Sequence, residues 1–427
     1  MAANASFNRG RWIVWGGYAL LMLVAPLLFT SSLSMTMLSQ MGIAIIACLA
    51  FNMLLGQGGM LSFGHAVYSG LGSFIAIHAL NRVSDGTLAL PVSLIPLVGG
   101  LGGLFFAALL GYVSTKKAGT PFAMITLGIG ELVAAMSLMF PGFFGGEGGI
   151  TGNRVAGQPF FGITFGPQSQ LYYLIAIYTF VCTALMFAFT RTPLGRMLNA
   201  CRDNPERVEF VGYNTRYVRY IAFMTSGFFM GIAGGLATLN FEIVTSEVVG
   251  AIRSGGYLLF TFLGGATFFF GPIIGAVLLV LALVLLSELT QAWLLYLGLV
   301  FTFMVMFAPG GIASLIMMNL RVASFGKWRQ LLVPYLMLLG AAMIAVTGAS
   351  AMIEMVYHLQ LNQVLGPEMR FAGVPLNAKS KGSWVAAAVV LVVGVLLFEL
   401  ARRRFAPLWG RIQEEIETEI KRREARA

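Results

Sequence analysis

The chain has 427 residues, of which 58% are hydrophobic and only 10% are charged, and its mean hydropathy is +0.83. A water-soluble domain needs far more polar surface than this, so the composition excludes a soluble globular protein. The formal net charge of +10 would suggest nucleic acid binding in a soluble protein, but here the basic residues lie between apolar runs, which predicts a membrane topology and no nucleic acid partner.

Long apolar runs predict an all-α polytopic membrane protein with about twelve transmembrane helices, because each run approaches the ~20 residues that a helix needs to cross the hydrocarbon. A barrel would instead show short alternating strands. Some spans are expected to be broken or re-entrant, with the short 256–270 segment as the first candidate. The predicted spans are 12–30, 35–56, 57–80, 90–113, 120–140, 171–190, 217–240, 256–270, 271–290, 291–308, 331–356 and 384–401.

The basic residues are distributed unequally between the two sets of loops that these spans define. One set carries 21 of the 27 Lys and Arg residues, counting Arg219 at the start of its span, and the other set carries six. The positive-inside rule therefore predicts that the basic set and both termini are cytoplasmic. The basic set comprises 1–11, 114–119, 191–216, 309–330 and the tail from 402.

The segment 56–65 is unusual for a membrane helix, because four glycines and three polar side chains fall within ten residues. It is interpreted either as a broken helix that lines a substrate path or as a site of tight helix packing. His65 is correspondingly either a gate or a core histidine. The candidate path residues here are Gly58, Gly59, Ser62, Phe63, Gly64 and His65.

A second interruption contains Gly264, Gly265, Gly271 and Pro272, and proline cannot continue a helix without a break. Paired interruptions in two halves of a transporter point to its central site, although chance is a competitor in a chain with 52 glycines. Glu131 joins the candidate path residues because an ionisable group in an apolar run is costly. A structural hydrogen bond is the alternative role for Glu131.

The long polar segment 191–216 contains apolar residues at helical spacing, with charges on the other face. Such a helix fits a cleft in a soluble partner or lies among lipid headgroups. No pair of the three cysteines has metal-ligand spacing, so no metal site is predicted. The apolar residues are Met197, Leu198, Cys201, Val208 and Val211.

Several motifs between 35 and 320 resemble the permeases of branched-chain, or hydrophobic, amino acid ABC importers. They are Gly-Gly-Met-Leu-Ser-Phe-Gly-His-Ala at 58–66, Thr-Leu-Gly-Ile-Gly-Glu at 126–131, Gly-Gly-Glu-Gly-Gly-Ile-Thr-Gly at 145–152, the loop 191–212, and the glycine motifs at 263–276 and 307–312. The order and spacing of the motifs agree with the family, and Asn204-Pro205 departs from its pattern.

The resemblance implies a permease of the bacterial inner membrane that works with a second homologous permease, two cytoplasmic ATPases and a periplasmic binding protein. The loop 195–212 would then be the coupling helix, seated on an ATPase, with ATP and Mg bound by the ATPases and no cofactor in this chain. The coupling residues implied are Arg196, Leu198, Arg202, Asp203, Glu206, Arg207, Val208 and Gly212.

The chain is accordingly predicted to contain an N-terminal anchor helix (1–34), a permease core (35–320), a two-helix extension with a periplasmic loop (321–401) and a charged cytoplasmic tail (402–427). In the tail, Ile412, Ile416 and Ile420 predict a short solvated helix or a helix that docks on a partner. No Gly-x-x-x-x-Gly-Lys-Ser/Thr motif occurs, so the chain is a transport subunit and not the ATPase. A passive channel for a small neutral solute such as urea or an amide is the alternative function.

Overall fold

The computed structural model describes residues 9–155, 164–361, 366–371 and 373–424. These residues form mainly α-helices, with two π-helical turns, three 3-10 turns and two short antiparallel strand pairs beside them. The helices are α1 (Arg9–Leu28), α2 (Ser32–Asn52), α3 (Ala66–Ser84), α4 (Ile95–Ser114), α5 (Thr120–Met139), α6 (Pro141–Phe144), α7 (Gln168–Arg191), α8 (Pro193–Asp203), α9 (Pro205–Phe210), α10 (Thr215–Phe241), α11 (Ala251–Gly264), α12 (Gly271–Leu281), α13 (Ser287–Leu289), α14 (Trp293–Phe307), α15 (Gly311–Ser324), α16 (Trp328–Leu361) and α17 (Lys381–Glu424).

The shorter elements connect these helices. The π-helical turns are Met53–Gln57 and Ala282–Leu286, and the 3-10 turns are Val92–Leu94, Gly146–Gly148 and Ser246–Val249. Strand β1 (Ile150–Thr151) pairs with β2 (Ile243–Val244), and β3 (Glu368–Phe371) pairs with β4 (Val374–Asn377).

Each predicted span falls mainly on one helix, which confirms the all-α polytopic fold; the span 271–290 covers α12, a π-helical turn and α13. Within the described part of the chain, eight helices are long and apolar enough to cross a membrane, or nine if α14 and α15, bent by 50°, count as one span. The other predicted spans fall on α1, α3 and α11, so the full count of twelve stays a prediction. Helix α11 has 14 residues, about 21 Å, and is too short to cross the hydrocarbon alone.

Helices α3, α4 and α10 pack with their backbones nearly in contact. A Cβ atom on Gly99 would lie 2.7 Å from the Gly231 carbonyl oxygen, and one on Gly72 would lie 2.7 Å from the Gly231 Cα. A Cβ on Gly103 would overlap the Gly227 carbonyl. Since lipid supplies no hydrophobic force between helices, this close approach is the main source of van der Waals attraction in the core.

Arg154 anchors the loop that follows β1. Its guanidinium donates to the carbonyl oxygens of Phe165 (2.9 Å), Gly166 (3.2 Å) and Leu239 (3.2 Å), and its backbone N–H donates to the Glu242 carboxylate (2.8 Å). Glu242 has a left-handed backbone (φ 55°), which turns the chain at the end of α10 into β2. Arg154 therefore joins residues 165–166 to the end of α10.

The chain divides into two compact units, which are residues 1–284 with 304–313, and residues 285–303 with 314–427. The second unit begins before the predicted extension at 321. The reason lies at Glu354 of α16, whose carboxylate accepts hydrogen bonds from the hydroxyls of Thr290 (2.5 Å) and Tyr296 (3.1 Å). These bonds bind the start of α14 to α16.

The predicted charged tail is the continuous end of α17 as far as Glu424. Ile412 and Ile416 are buried against Val322 of α15 and Leu331 of α16, instead of lying in a solvated helix. Lys327 also forms an ion pair with the α17 carboxylate of Glu415. The isoleucine repeat therefore packs inside the second unit.

Labelling of single cysteines tests the topology. The three native cysteines are buried, and burial raises the pKa of the Cys201 thiol in α8, so their background reactivity should be low. We expect membrane-impermeant maleimide to reach exposed Asn153→Cys and Lys379→Cys from the periplasm of intact cells. Glu206→Cys and Glu414→Cys should react only after permeabilisation. Periplasmic labelling at position 206 would contradict the topology.

Candidate functional site

The first predicted interruption is present between α2 and α3. Helix α2 widens into the π-helical turn Met53–Gln57, and α3 begins only at Ala66, with His65 at its N-cap position. Gly59 has a left-handed backbone (φ 63°), which other residues rarely adopt, so the helix cannot continue through it. Helix α3 therefore begins nine residues after the start of the predicted span 57–80.

The break packs against α5. The Phe63 N–H donates to the Thr126 hydroxyl (3.2 Å), and a Cβ on Gly64 would overlap the Thr126 carbonyl. A Cβ on Gly130 would lie 3.3 Å from the Gly64 Cα, so two glycines face each other here. Glu131 follows Gly130 but is exposed on the surface of the chain, away from this contact.

His65 belongs to a buried polar chain. Ser226 of α10 donates its hydroxyl proton to the Ala50 carbonyl (2.6 Å), so its oxygen accepts the Nε2–H of His65 (2.8 Å). The imidazole also packs edge-on against Phe51 and Phe223. His65 has no exposed surface, which favours the core histidine over a gate.

The second interruption lies between α11 and α12. Gly265 has φ 111°, a conformation that ends α11, and Pro272 stands in the first turn of α12, where its missing N–H costs no helical hydrogen bond. A Cβ on Gly264 would overlap the Gly271 carbonyl, and one on Gly275 would overlap the Phe260 carbonyl. The two helices form a tight hairpin.

The two interruptions meet. A Cβ on Gly56 would overlap the Ala266 carbonyl, and one on Gly265 would lie 2.6 Å from the Gly310 carbonyl oxygen. Gly311 (φ 70°) packs on the Gly265 backbone in turn. We call residues 56–59, 264–266 and 310–311 the glycine junction. Sequence reasoning singled out the first two segments as a pair but missed the third, whose Pro309-Gly310-Gly311 is itself a helix-breaking signal.

The loop between α7 and α10 contains two short helices. The Thr192 hydroxyl caps α8 by accepting from the Gly195 N–H (3.1 Å), and the Asn204 side chain caps α9 by accepting from the Arg207 N–H (3.1 Å). Asn204 has an extended backbone and Pro205 opens α9, so this pair, which departs from the family pattern, divides the loop helix in two. Gly212 (φ 90°) follows the end of α9.

The faces of α8 and α9 differ from the expectation. Leu198 and Val208, predicted to enter an ATPase cleft, are 0% and 4% exposed and pack inside this chain. Leu198, Cys201 and Val208 of the apolar stripe are covered by the chain itself and are not available to a partner, whereas Val211 is exposed. The predicted coupling residues that are exposed are Arg196, Arg202, Asp203, Glu206, Arg207 and Gly212.

Phe210, at the end of α9, was not predicted as a contact residue, whereas Val211, which follows it, belongs to the predicted apolar stripe. Phe210 is 89% exposed and Val211 is 73% exposed. Gly212 turns the chain directly after them, so they project away from the face that buries Val208. In the sequence, this exposed apolar surface is indicated by a Phe-Val pair that directly precedes a glycine at the end of a helix.

Arg202 connects the predicted coupling residues of the α8–α9 loop with the predicted path residues at 58–59. Its Nη1 donates to the Gly56 carbonyl, and the Asp203 carboxylate accepts from its Nε (2.9 Å). A Cβ on Gly59 would lie 2.7 Å from the Arg202 Cγ, and one on Gly58 would lie 3.2 Å from a Leu198 methyl carbon. The α8 helix therefore rests directly on the glycine junction.

A family model described as branched-chain amino acid transport system / permease component matches residues 33–309. The chain belongs to this family. It is similar to the high-affinity branched-chain amino acid transport system permease protein LivM of Salmonella typhimurium, with 26% identity over 66% of this chain and 70% of the relative. It also matches LivM of Escherichia coli K12, with 26% identity over 63% and 67%. No solved structure matches significantly.

Membership of this family, together with the apolar helices, identifies a multi-pass permease subunit of the inner membrane, of the type that serves ABC importers of branched-chain amino acids. The family match covers α2 to α14. It therefore includes the first two segments of the glycine junction, 56–59 and 264–266, and the whole α8–α9 loop.

The close approach at Gly64 leads to a prediction. Gly64→Leu should leave the protein inserted but abolish uptake, because the branched side chain must displace the α5 backbone at Thr126. Gly298→Leu is the matched control, since nothing lies within 4 Å of a Cβ at that site. Uptake in vesicles with equal permease content is the measurement. Normal uptake by Gly64→Leu would exclude a role for this contact.

Proposed function

We propose that this chain is the permease of an ATP-driven importer that carries a branched-chain or related hydrophobic amino acid from a periplasmic binding protein into the cytoplasm. Two cytoplasmic ATPases bind ATP and Mg, and a second homologous permease completes the pathway. The main support within the chain is the direct contact of the α8–α9 loop with the broken helix α2. A loop that only lay among headgroups would not require this contact.

The ATPase contact consists of Phe210 and Val211, surrounded by the charges of Arg207, Glu206 and Asp203. A largely exposed aromatic side chain becomes favourable when it fills an apolar pocket, whereas charges at the rim mainly steer association. Leu198 and Val208 fix the loop to the permease from the other side. The loop is thus held by one face and free to dock by the other.

The substrate path runs beside the α2–α3 break and the exposed face of α5. Helix α5 buries Thr126 and Gly130 against the break, while Glu131 lies on its opposite, exposed face. A carboxylate at membrane depth is too costly to face lipid, so this face borders the second permease or a water-filled path. Gly58, Gly59, Ser62, Phe63, Gly64 and His65, with Gly264, Gly265, Gly271 and Pro272, shape the inner wall as packing residues.

Purification of the native complex in mild detergent tests the assembly. We expect an ATPase and a second permease to co-purify at fixed stoichiometry, and a binding protein to stimulate ATP hydrolysis. Proteoliposomes that move a hydrophobic amino acid down its gradient without ATP would instead indicate the passive channel.

The docking surface gives a further prediction. Phe210→Asp with Val211→Asp should release the ATPase while the permease remains folded, because the two side chains lie outside the core. Loss of one aromatic anchor costs about 2 kcal/mol or more, which weakens binding roughly 30-fold. Leu198→Asp should destabilise the permease itself by burying a charge. Leu88→Asp, in the α3–α4 connection, is the control for ATPase retention.

Co-purified ATPase and thermal stability of the permease are measured on the same samples. Retention of the ATPase by the Phe210/Val211 double variant would place the pair at the headgroups instead.

A further inference from the structure

We propose that Arg202 is the positioning residue that carries movement of the α8–α9 loop into the broken helix α2. The inference rests on the proposed function, because it concerns how movement at the proposed ATPase contact would reach α2. The contact between Arg202 and α2 lies inside the permease, whereas the ATPase contact lies on its surface. This role differs from the one that the family resemblance implied for Arg202, which was that of a coupling residue on a loop seated on an ATPase.

Arg202 satisfies a carbonyl that the break leaves without a helical partner. In the described structure, the N–H groups of Gly58 and Met60 both bond to the Leu54 carbonyl, and that of Gly59 bonds to the Leu55 carbonyl. The Gly56 carbonyl oxygen instead accepts a hydrogen bond from the Arg202 guanidinium. A cation at the C-terminal end of a helix is favoured by the free carbonyls and by the helix dipole.

The Arg202 side chain is partly exposed and has contacts on two sides. Asp203 Oδ1 accepts a hydrogen bond from Arg202 Nε (2.9 Å) and forms an ion pair with Nη2 (2.9 Å), which orients the planar group. The aliphatic part of Arg202 packs on Gly59, where a Cβ would come within 2.7 Å of it. The contact thus combines a charge-assisted hydrogen bond to Gly56 with packing on Gly59, and it places α8 directly against the end of α2.

The segment that receives this contact has an irregular helical geometry. It contains a π-helical turn, a feature that is frequent at functional sites, and a positive-φ glycine. Five buried side-chain atoms here have no hydrogen-bond partner among the described residues, so this packing leaves polar groups unsatisfied. They are Asn52 Oδ1, Gln57 Oε1, Ser62 Oγ, His65 Nδ1 and Tyr68 Oη.

A displacement of the break would reach three other helices. Phe63 and Gly64 contact α5, His65 bonds to Ser226 of α10, and the Ala66 N–H donates to the Ser254 hydroxyl of α11 (2.9 Å). One arginine on the loop therefore connects to the helices around the proposed path.

The test uses the whole importer complex in proteoliposomes. Arg202→Met keeps the aliphatic packing on Gly59 but removes the charge and the donor, and Arg202→Lys restores both. Lys117→Met, at an exposed position in the α4–α5 connection, is the control for loss of a basic residue. Three quantities are measured: bound ATPase, ATP hydrolysed and amino acid transported.

We expect Arg202→Met to keep its ATPases and its ATP hydrolysis, while the amount transported per ATP falls at least tenfold. Arg202→Lys should recover a large part of this ratio, and Lys117→Met should match the wild type. A normal ratio in Arg202→Met would overturn the proposal, and so would loss of ATPase binding, which would make Arg202 a docking residue. A wild-type complex without ATPases would instead refute the proposed function.

Discussion

Contact between helix backbones at glycine is the constraint on which the rest of this structure depends. Between lipid-facing helices no hydrophobic force favours association, so stability comes from van der Waals contact over surfaces with little side chain. Gly99, Gly103 and Gly231 provide that surface for α4 and α10, and Gly264 and Gly275 provide it for α11 and α12. Glycine makes this packing close but also weakens each helix locally, so the same residues hold the core together and interrupt its helices.

The glycine junction uses both properties. Three chain interruptions meet where a side chain would not fit, and three of their glycines, Gly59, Gly265 and Gly311, have backbones that other residues rarely adopt. The parts of this junction are in direct backbone contact, and no continuous helix crosses it. Its position beneath α8 gives the α8–α9 loop a direct contact with the broken helix α2, and the proposed coupling depends on this contact.

The α8–α9 loop shows why a helical apolar stripe does not by itself identify a docking surface. Leu198 and Val208 have the spacing expected of a partner-binding face, yet they are used to attach the loop to its own membrane helices. The surface left for a partner is Phe210 and Val211 with the surrounding charges. In the second unit, Ile412 and Ile416 likewise bind the end of α17 to α15 and α16, and Gly348 and Gly394 bring α16 and α17 into close contact.

The sequence by itself determined the class of the fold, the places of the twelve apolar segments, the family and the two glycine interruptions near 58 and 265. Apolar run length and helix-breaking residues are local properties, so they can be read without knowing the neighbours. Only the tertiary structure decided that the interruptions touch each other and a third at 310–311, that Arg202 bonds to Gly56, and that Leu198 is internal while Phe210 is free. These depend on which surfaces meet across distant parts of the chain, and periodicity indicates that a face is apolar but not what covers it.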